Sequence, residues 1–330
     1  MIYIIIGIAV LILIVLILYI ISCNILLISR ENFNIPEYPA WMDGLRIAHI
    51  SDIHSKKWGR RNKKAAEKLF SQKPDIIVCT GDMCDRFSKN GNAFLEFLYS
   101  YRQIEISENE KIQNEGKQNS ISWDCPNNSS YMPIFCCLGN HELDFREKDK
   151  ENYDKFIKEI KSLNAVILDD DYVEISIIKE DEQKKNKKSN KNNSELNQKN
   201  NVLYLYGLTC RYFAGRNKKR PGYSSKLMTE IKPGNPNIVL CHDPRKPEIP
   251  EKWGAQCMLS GHMHGGSIRL PFIGGVLGPG FTLFPKYTAG FYKIGKMLMY
   301  VSRGMGYCFP DRILSFPQIT ILTIKSKDKE

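Results

Sequence analysis

The chain has 330 residues, 42% hydrophobic and 11% aromatic, enough to bury a sizeable core, and its 25% charged content excludes a wholly disordered chain. A formal net charge of +11 favours anionic partners such as phosphate esters, nucleic acid or lipid headgroups without choosing among them. Ten cysteines are too few for a disulfide scaffold, and none are spaced as CxxC, which argues against zinc fingers and thioredoxin-like chemistry.

Residues 1–29 carry no charged side chain, and Ile2 to Ile21 is almost entirely aliphatic. About 20 such residues span a ~30 Å hydrocarbon core as a helix, so 1–29 is predicted to be a transmembrane anchor. A cleavable signal peptide would carry a basic start, and Met1 to Ile6 has none. Ile20-Ile21-Ser22-Cys23 loosely resembles a lipoprotein cleavage box with Cys23 as a lipidated terminus, but the missing basic start ranks this below an uncleaved anchor. The flanking Arg30, Arg46, Lys56, Lys57, Arg60, Arg61, Lys63 and Lys64 all follow the helix and favour a cytoplasmic catalytic domain, although only Arg30 is close to the membrane. The cysteine content agrees with a reducing compartment.

A polar linker with Pro36 and Pro39 is expected over 30–44, followed by one domain over 45–330. Short apolar runs predict strands at Leu45–Ser51, Asp75–Thr80, Pro133–Leu138, Val173–Ile178, Val202–Leu208, Asn237–Cys241, Gln256–Leu259, Met297–Ser302 and Gln318–Ile324. Helical patterns fall at about 61–72, 91–102 and 150–163, the last with Tyr153, Phe156, Ile157, Ile160 and Leu163 on one face. Alternation of the two predicts a layered α/β domain. Residues 103–130 and 179–201 are polar and are expected to be mobile surface insertions. Residues 179–200 hold seven Lys and four acids, a net of +3, and no aromatic side chain, which suits a solvated loop better than a nucleic-acid tail. Removing them leaves +8 on the rest of the chain.

Five short motifs carry five of the six histidines: Asp52-Ile53-His54, Gly81-Asp82, Gly139-Asn140-His141-Glu142, Cys241-His242-Asp243 and Gly261-His262-Met263-His264-Gly265. Each follows a predicted strand, where ligands gather in open α/β sheets. Imidazole, carboxylate and amide oxygens suit Mn, Fe or Zn. Seven candidate metal ligands are more than one ion needs, so two ions are expected. Such a pair clamps a phosphate and lowers the pKa of a bound water. Asp82, with two oxygens, suits a shared position. A lone Asp-x-His is a weak signal; the ordered set of five is a strong one. His49, inside a strand run, reads as a core histidine.

The set DIH, GDMCD, GNHE, His242 and GHMHGG resembles the calcineurin-like metallophosphoesterases, over about 45–324. The tail GHMHGGSIRLP, with Phe284-Pro285-Lys286, Gly290-Phe291-Tyr292 and Ser302–Gly306, is similar to the branch with an N-terminal anchor or export signal, some of whose members hydrolyse UDP-diacylglucosamine-type lipid pyrophosphates. The resemblance implies a four-layer αββα sandwich. It implies one metal on Asp52, His54, Asp82 and His264 and another on Asp82, Asn140, His242 and His262. It also implies a catalytic, non-ligating His141. Arg86 could hold a phosphate oxygen or a surface ion pair, and Cys84 could tune the site or simply fill space. Manganese is the expected cofactor, with Fe or Zn as alternatives. The expected function is a membrane-tethered, two-metal hydrolase of phosphoester or pyrophosphate bonds on a phosphorylated small molecule or lipid. Alternatives are a nuclease or nucleotide phosphodiesterase of the same fold, for which Lys56, Lys57, Arg60, Arg61 and Trp58 offer a basic patch, and a non-catalytic membrane-held metal scaffold. No protein partner is evident. The apolar run Ser267–Phe284 is expected to line an acyl cleft or touch the membrane, or else to pack on the core.

Overall fold

The computed structural model describes residues 1–35, 37–85, 90–114, 121–124, 131–179, 201–209, 234–306 and 312–326. In chain order the helices are α1 (Ile2–Asn24), α2 (Lys63–Phe70), α3 (Asn92–Asn114), α4 (Asn140–Lys148), α5 (Lys150–Ser162) and α6 (Glu248–Lys252). The first eight strands are β1 (Leu27–Asn34), β2 (Arg46–Ile50), β3 (Ile76–Thr80), β4 (Ile121–Asp124), β5 (Ile134–Cys137), β6 (Ala165–Leu168), β7 (Asp171–Lys179) and β8 (Val202–Leu208). The other eight are β9 (Asn237–Cys241), β10 (Cys257–Ser260), β11 (Ile268–Leu270), β12 (Gly274–Gly278), β13 (Thr282–Leu283), β14 (Gly290–Ile294), β15 (Met297–Val301) and β16 (Gln318–Lys325).

Two mixed sheets carry the domain. One runs β1-β16-β2-β3-β5-β6, the other β14-β15-β10-β9-β8-β7-β4, and β11-β12-β13 form a small antiparallel sheet of their own. Successive side chains of a strand face opposite ways, and the core follows that period of two. Ile47, Ile76, Val78, Phe135 and Cys137 of the first sheet meet Leu203, Leu205, Ile238, Leu240 and Leu259 of the second in a core between the sheets. The alternate residues Ala48, Ile50, Ile77, Cys79, Ile134 and Cys136 pack outward against Ala66 and Leu69 of α2, Phe94 and Phe97 of α3 and Phe156 and Ile160 of α5. The far face of the second sheet, with Tyr206, Val239, Met258, Met299 and Tyr292, is covered among the described residues by Ile249 of α6 and by Trp253. This is the expected layered sandwich of mixed α/β sheets.

α1 is apolar on every face, with a mean hydropathy of 3.6 and no burial inside the protein over its best 18-residue window. It does not lead into a linker. Its last turn docks on the domain, where Ser22 Oγ accepts from the Leu314 amide at 2.8 Å and Cys23 is buried. Three residues past its end, β1 pairs in parallel with β16 from Leu27↔Gln318 to Asn34↔Lys325. The expected linker over 30–44 therefore begins inside an edge strand, and Phe33, Ile35, Tyr38 and Met42 of the same stretch are buried between the sheets. The polar run LISRENFN hid this, because an edge strand takes its order from backbone bonds to a partner almost 300 residues away.

The expected insertion at 103–130 is also corrected in part. α3 continues through Asn114, and β4 pairs antiparallel with β7 at the edge of the second sheet. Arg102 and Glu105 support the longer helix: both are buried, paired at 2.6 Å, and Arg102 also donates to the Leu163 and Asn164 carbonyls. Most of the other expected insertion, residues 180–200, lies outside the described residues, as does Arg86.

Candidate metal centre

β2, β3 and β5 are parallel neighbours in one sheet, and β9 and β10 in the other. Their carboxyl ends carry all five motifs, so residues spread from 52 to 264 meet along one edge of the sandwich. The turns that bring them in are tight. Asp52, His54, Asp82, His262 and His264 all have positive φ, between 50° and 68°, a conformation rare for side chains other than glycine and costing of order 1–3 kcal/mol each. Cross-loop bonds hold them: Asp52 N donates to Gly81 O at 3.0 Å, His54 N to Asp82 O at 3.1 Å and His262 N to the Asp52 carboxylate at 3.1 Å. Gly139 and Gly261 are needed for close approach. A Cβ on Gly139 would strike the Asp82 carboxylate, and one on Gly261 would strike Ser51 Oγ and the Asp52 carboxylate.

Three overlapping donor groups result: Asp52, His54 and His264; His54, Asp82 and His141; Asp82, His242 and His262. Within each, one ligand atom per residue lies within 4.8 Å of the others. Asp82 Oδ2 is common ground, 3.1 Å from His242 Nε2, 3.6 Å from His141 Nε2 and 3.9 Å from His54 Nε2. His264 Nε2 lies 3.7 Å from Asp52 Oδ1, and His262 Nδ1 lies 3.2 Å from His242 Nε2. Asn140 opens α4 beside them, and its buried Oδ1 has no hydrogen-bond partner.

The electrostatics suit cation ligation. Burial lowers His54, takes His262 down to about 4 and, with Arg312 beside it, holds His264 well below the usual range. These three imidazoles are neutral at pH 7, the form that binds metal. Burial disfavours the charged form of His242 as well, but Asp82 at 3.1 Å raises it well above the usual imidazole range. Burial likewise opposes ionisation of Asp82, yet His141, His242 and His54 together hold it well below the usual carboxylate range. The outer atoms of the rings are fixed too. His54 Nδ1 sits 3.1 Å from Cys84 O and His242 Nδ1 2.6 Å from Thr80 O, which turns both Nε2 atoms inward. His141 Nδ1 is buried with no such partner, and its side chain is 19% exposed against 8% for His54 and 1% for His242.

Two residues shape the site beyond the predicted ligands, and one of them, Glu142, stands in the GNHE motif as the acid after His141. The fully buried Glu142 accepts from the amides of Asp82 (2.9 Å), Cys84 (2.9 Å) and Gly139 (2.8 Å), tying the β3 loop to the start of α4. Arg312, 2% exposed, donates to the carbonyls of Gly306, His264 and Ser315 and places Nη2 3.2 Å from His264 Nδ1. Cys84 acts through its backbone, since burial and Glu142 push its thiol pKa well up. His49 is a core histidine, fully buried and 2.8 Å from Thr80 Oγ1.

A two-sheet sandwich with Asp and His turns at the carboxyl ends of its strands defines a metal-dependent phosphoesterase, and residues 45–266 match the model of the calcineurin-like phosphoesterase family. The chain belongs to that family, whose members use a binuclear divalent metal centre, and it is a hydrolase. Among its relatives, phosphodiesterase YaeI of Escherichia coli (strain K12) is 26% identical over 282 residues, 84% of this chain and 82% of that protein. UDP-2,3-diacylglucosamine pyrophosphatase LpxG of Chlamydia trachomatis is 23% identical over 333 residues, 91% of this chain and 89% of that protein. The uncharacterized metallophosphoesterase YkuE of Bacillus subtilis (strain 168) is 40% identical, over 91 residues that make up 27% of this chain and 31% of that one.

Proposed function

We propose that this chain is a membrane-tethered hydrolase that cleaves a phosphoester or pyrophosphate bond in a lipid-linked substrate, of the UDP-2,3-diacylglucosamine type that LpxG is named for. The anchored branch with the GHMHGG tail is the assignment within the family. α1 is the tether, and the charge that follows it favours the cytoplasmic face.

The observation that carries the reading is the shared Asp82 carboxylate between two sets of inward-facing imidazoles. The donor set fits two cations: hard oxygens on Asp52, Asp82 and Asn140, neutral nitrogens on His54, His262 and His264, the His242 ring held against Asp82, and the partnerless Asn140 Oδ1. Asp52, His54, Asp82 and His264 would hold one ion, and Asp82, Asn140, His242 and His262 the other, with manganese the metal these ligands suit and Fe or Zn alternatives. Bound there, the ions supply Lewis-acid neutralisation of phosphate charge and lower the pKa of water. The protein's own part is orientation and proton transfer. Asp82 holds both halves of the site in register. His141, the more exposed ring and without a partner on Nδ1, is the group free to face substrate and to protonate the departing oxygen.

The nuclease alternative loses some support because two cations of its basic patch are engaged, while Arg60 and Arg61 stay exposed. Lys56 is buried with its ammonium over the Trp58 ring, and Lys57 pairs with Glu96 at 3.1 Å. YaeI's name keeps a simple phosphodiester as the second reading. Turnover of an aryl phosphodiester, nucleotides and an acylated nucleotide-sugar pyrophosphate by the full chain with added Mn tests the proposal. Preference for the acylated pyrophosphate is expected. Preference for unacylated diesters overturns the substrate assignment, and metal uptake without any turnover leaves a scaffold.

A further inference from the structure

Beyond α1 to Ile21, the described residues include ten exposed large hydrophobics. Six of them, Leu270, Phe272, Ile273, Phe281, Leu283 and Phe284, lie on the small β11–β13 sheet and its turns, and Ile25 and Leu27 lie where α1 leaves off. Phe272 is 109% exposed and Phe281, Leu283 and Phe284 60–67%. Three of these aromatics also have positive φ: Phe272 at 64°, Phe281 at 59° and Phe284 at 46°. A bulky side chain in that region is strained, and here the strain displays apolar rings to the outside rather than burying them.

The sheet is bonded to the exit of α1. Ser22 Oγ takes the Leu314 amide, and the neighbouring Ile313 is bridged to Ile268 at the start of β11, with Arg269 N donating to Ile313 O at 2.9 Å. Leu270 is therefore one residue step, one strand spacing and two strand residues from the partner of Ser22, a path of about 15 Å. The charge matches an anionic leaflet: residues 253–310 contain no Asp or Glu, against Arg269, Lys286, Lys293, Lys296 and Arg303. Arg269 and Lys286 line a cleft of about 450 Å³ together with Phe272 and Ile273, so cations and apolar tips share one surface. On the other side of the exit, Lys68 Nζ donates to Leu26 O.

We propose that the β11–β13 sheet is a second membrane contact, which dips its aromatic turns into the leaflet that α1 enters and keeps the metal centre at headgroup depth. β11 starts four residues after His264, so the contact sets the orientation of the site as well as its distance from the bilayer. The inference rests on α1 being a membrane anchor.

Tryptophans added one at a time to the full chain in phosphatidylglycerol–phosphatidylcholine vesicles test it, with brominated acyl chains as the quencher and each reading taken as the difference from the parent chain, whose four native tryptophans set the background. Leu16→Trp reports on the anchor, Phe272→Trp on the sheet, and Tyr99→Trp, an exposed site on α3, on bulk surface. Strong quenching with a blue shift at 16 and 272, and none at 99, is expected. Quenching at 16 with 272 behaving like 99 overturns the second contact and leaves the anchor intact. No quenching at 16 overturns the anchor and this proposal with it. Burial of the 272 probe only on adding an acylated substrate also overturns it, in favour of an acyl-binding surface. Phe272 is fully exposed, so its replacement leaves folding untouched, and turnover of a water-soluble aryl phosphodiester in detergent checks this by staying unchanged.

Discussion

The buried carboxylate of Glu142 accepts the backbone amide of Asp82 at 2.9 Å across 60 residues of sequence. With its bonds to Cys84 and Gly139, one side chain sets the relative position of two ligand-bearing loops. Glu142→Gln turns one acceptor into a donor facing amide donors. We expect metal affinity to fall about 10–100-fold and stability by about 1–3 kcal/mol. Calorimetric Mn titration and thermal melting of the variant check this, and unchanged affinity would show that Glu142 only fills space.

Asp82→Asn and His141→Ala separate ligand from proton donor. Asp82→Asn should lose bound metal and nearly all turnover of an aryl phosphodiester. His141→Ala should keep its metal content while kcat falls by about 10²–10⁴. Metal analysis beside steady-state kinetics reads both, and loss of one ion per chain in the His141 variant would make His141 a ligand.

Gly261→Ala places a methyl against Ser51 Oγ and the Asp52 carboxylate, both in a packed interior. Overpacking of this kind costs about 1–3 kcal/mol. Because Asp52 also receives the His262 amide, the displacement should reach the metal centre. A lowered melting temperature together with sub-stoichiometric metal is expected; a lowered melting temperature with full metal content would confine the damage to packing.

Burial lowers His49 from the ordinary 6.5 to about 3. The unfolded chain takes up a proton below about pH 6.5 that the folded chain refuses until about pH 3. The contribution of His49 to stability is therefore intact above pH 6.5 and is lost as pH falls through that window. Between pH 7 and pH 5 the parent protein should lose about 2 kcal/mol more than His49→Gln, which cannot titrate. Melting curves at the two pH values give the difference, and equal losses would mean the ring protonates in place.

The strands at β2, β3, β5, β9 and β10 were legible because a strand buried on both faces must be a short apolar run, as in IIVCT and NIVLC. The ligand motifs were legible because each stands at the end of such a run. β1 and β4 were not, since edge strands depend on backbone pairing more than on side-chain pattern; β6, the four-residue run AVIL directly after α5, was missed although its pattern is apolar. Glu142, though it stands in GNHE, and Arg312, which stands in no motif, had their roles hidden for a related reason: the bonds that tie them to the site reach Asp82 and His264, 60 and 48 residues away, and form only in the fold.

By itself, then, the chain's order of residues determined an apolar N-terminal helix, a layered α/β domain and a set of ligand types that can hold divalent ions, because hydrophobic period and donor chemistry are local properties. Tertiary structure alone decided that the helix runs into an edge strand with no intervening linker, that Asp82 stands between two imidazole groups, and that six exposed apolar side chains gather on a small sheet bonded to the segment where Ser22 docks. Each of these depends on which strands become neighbours, and that choice is made by burying both sheet faces at once.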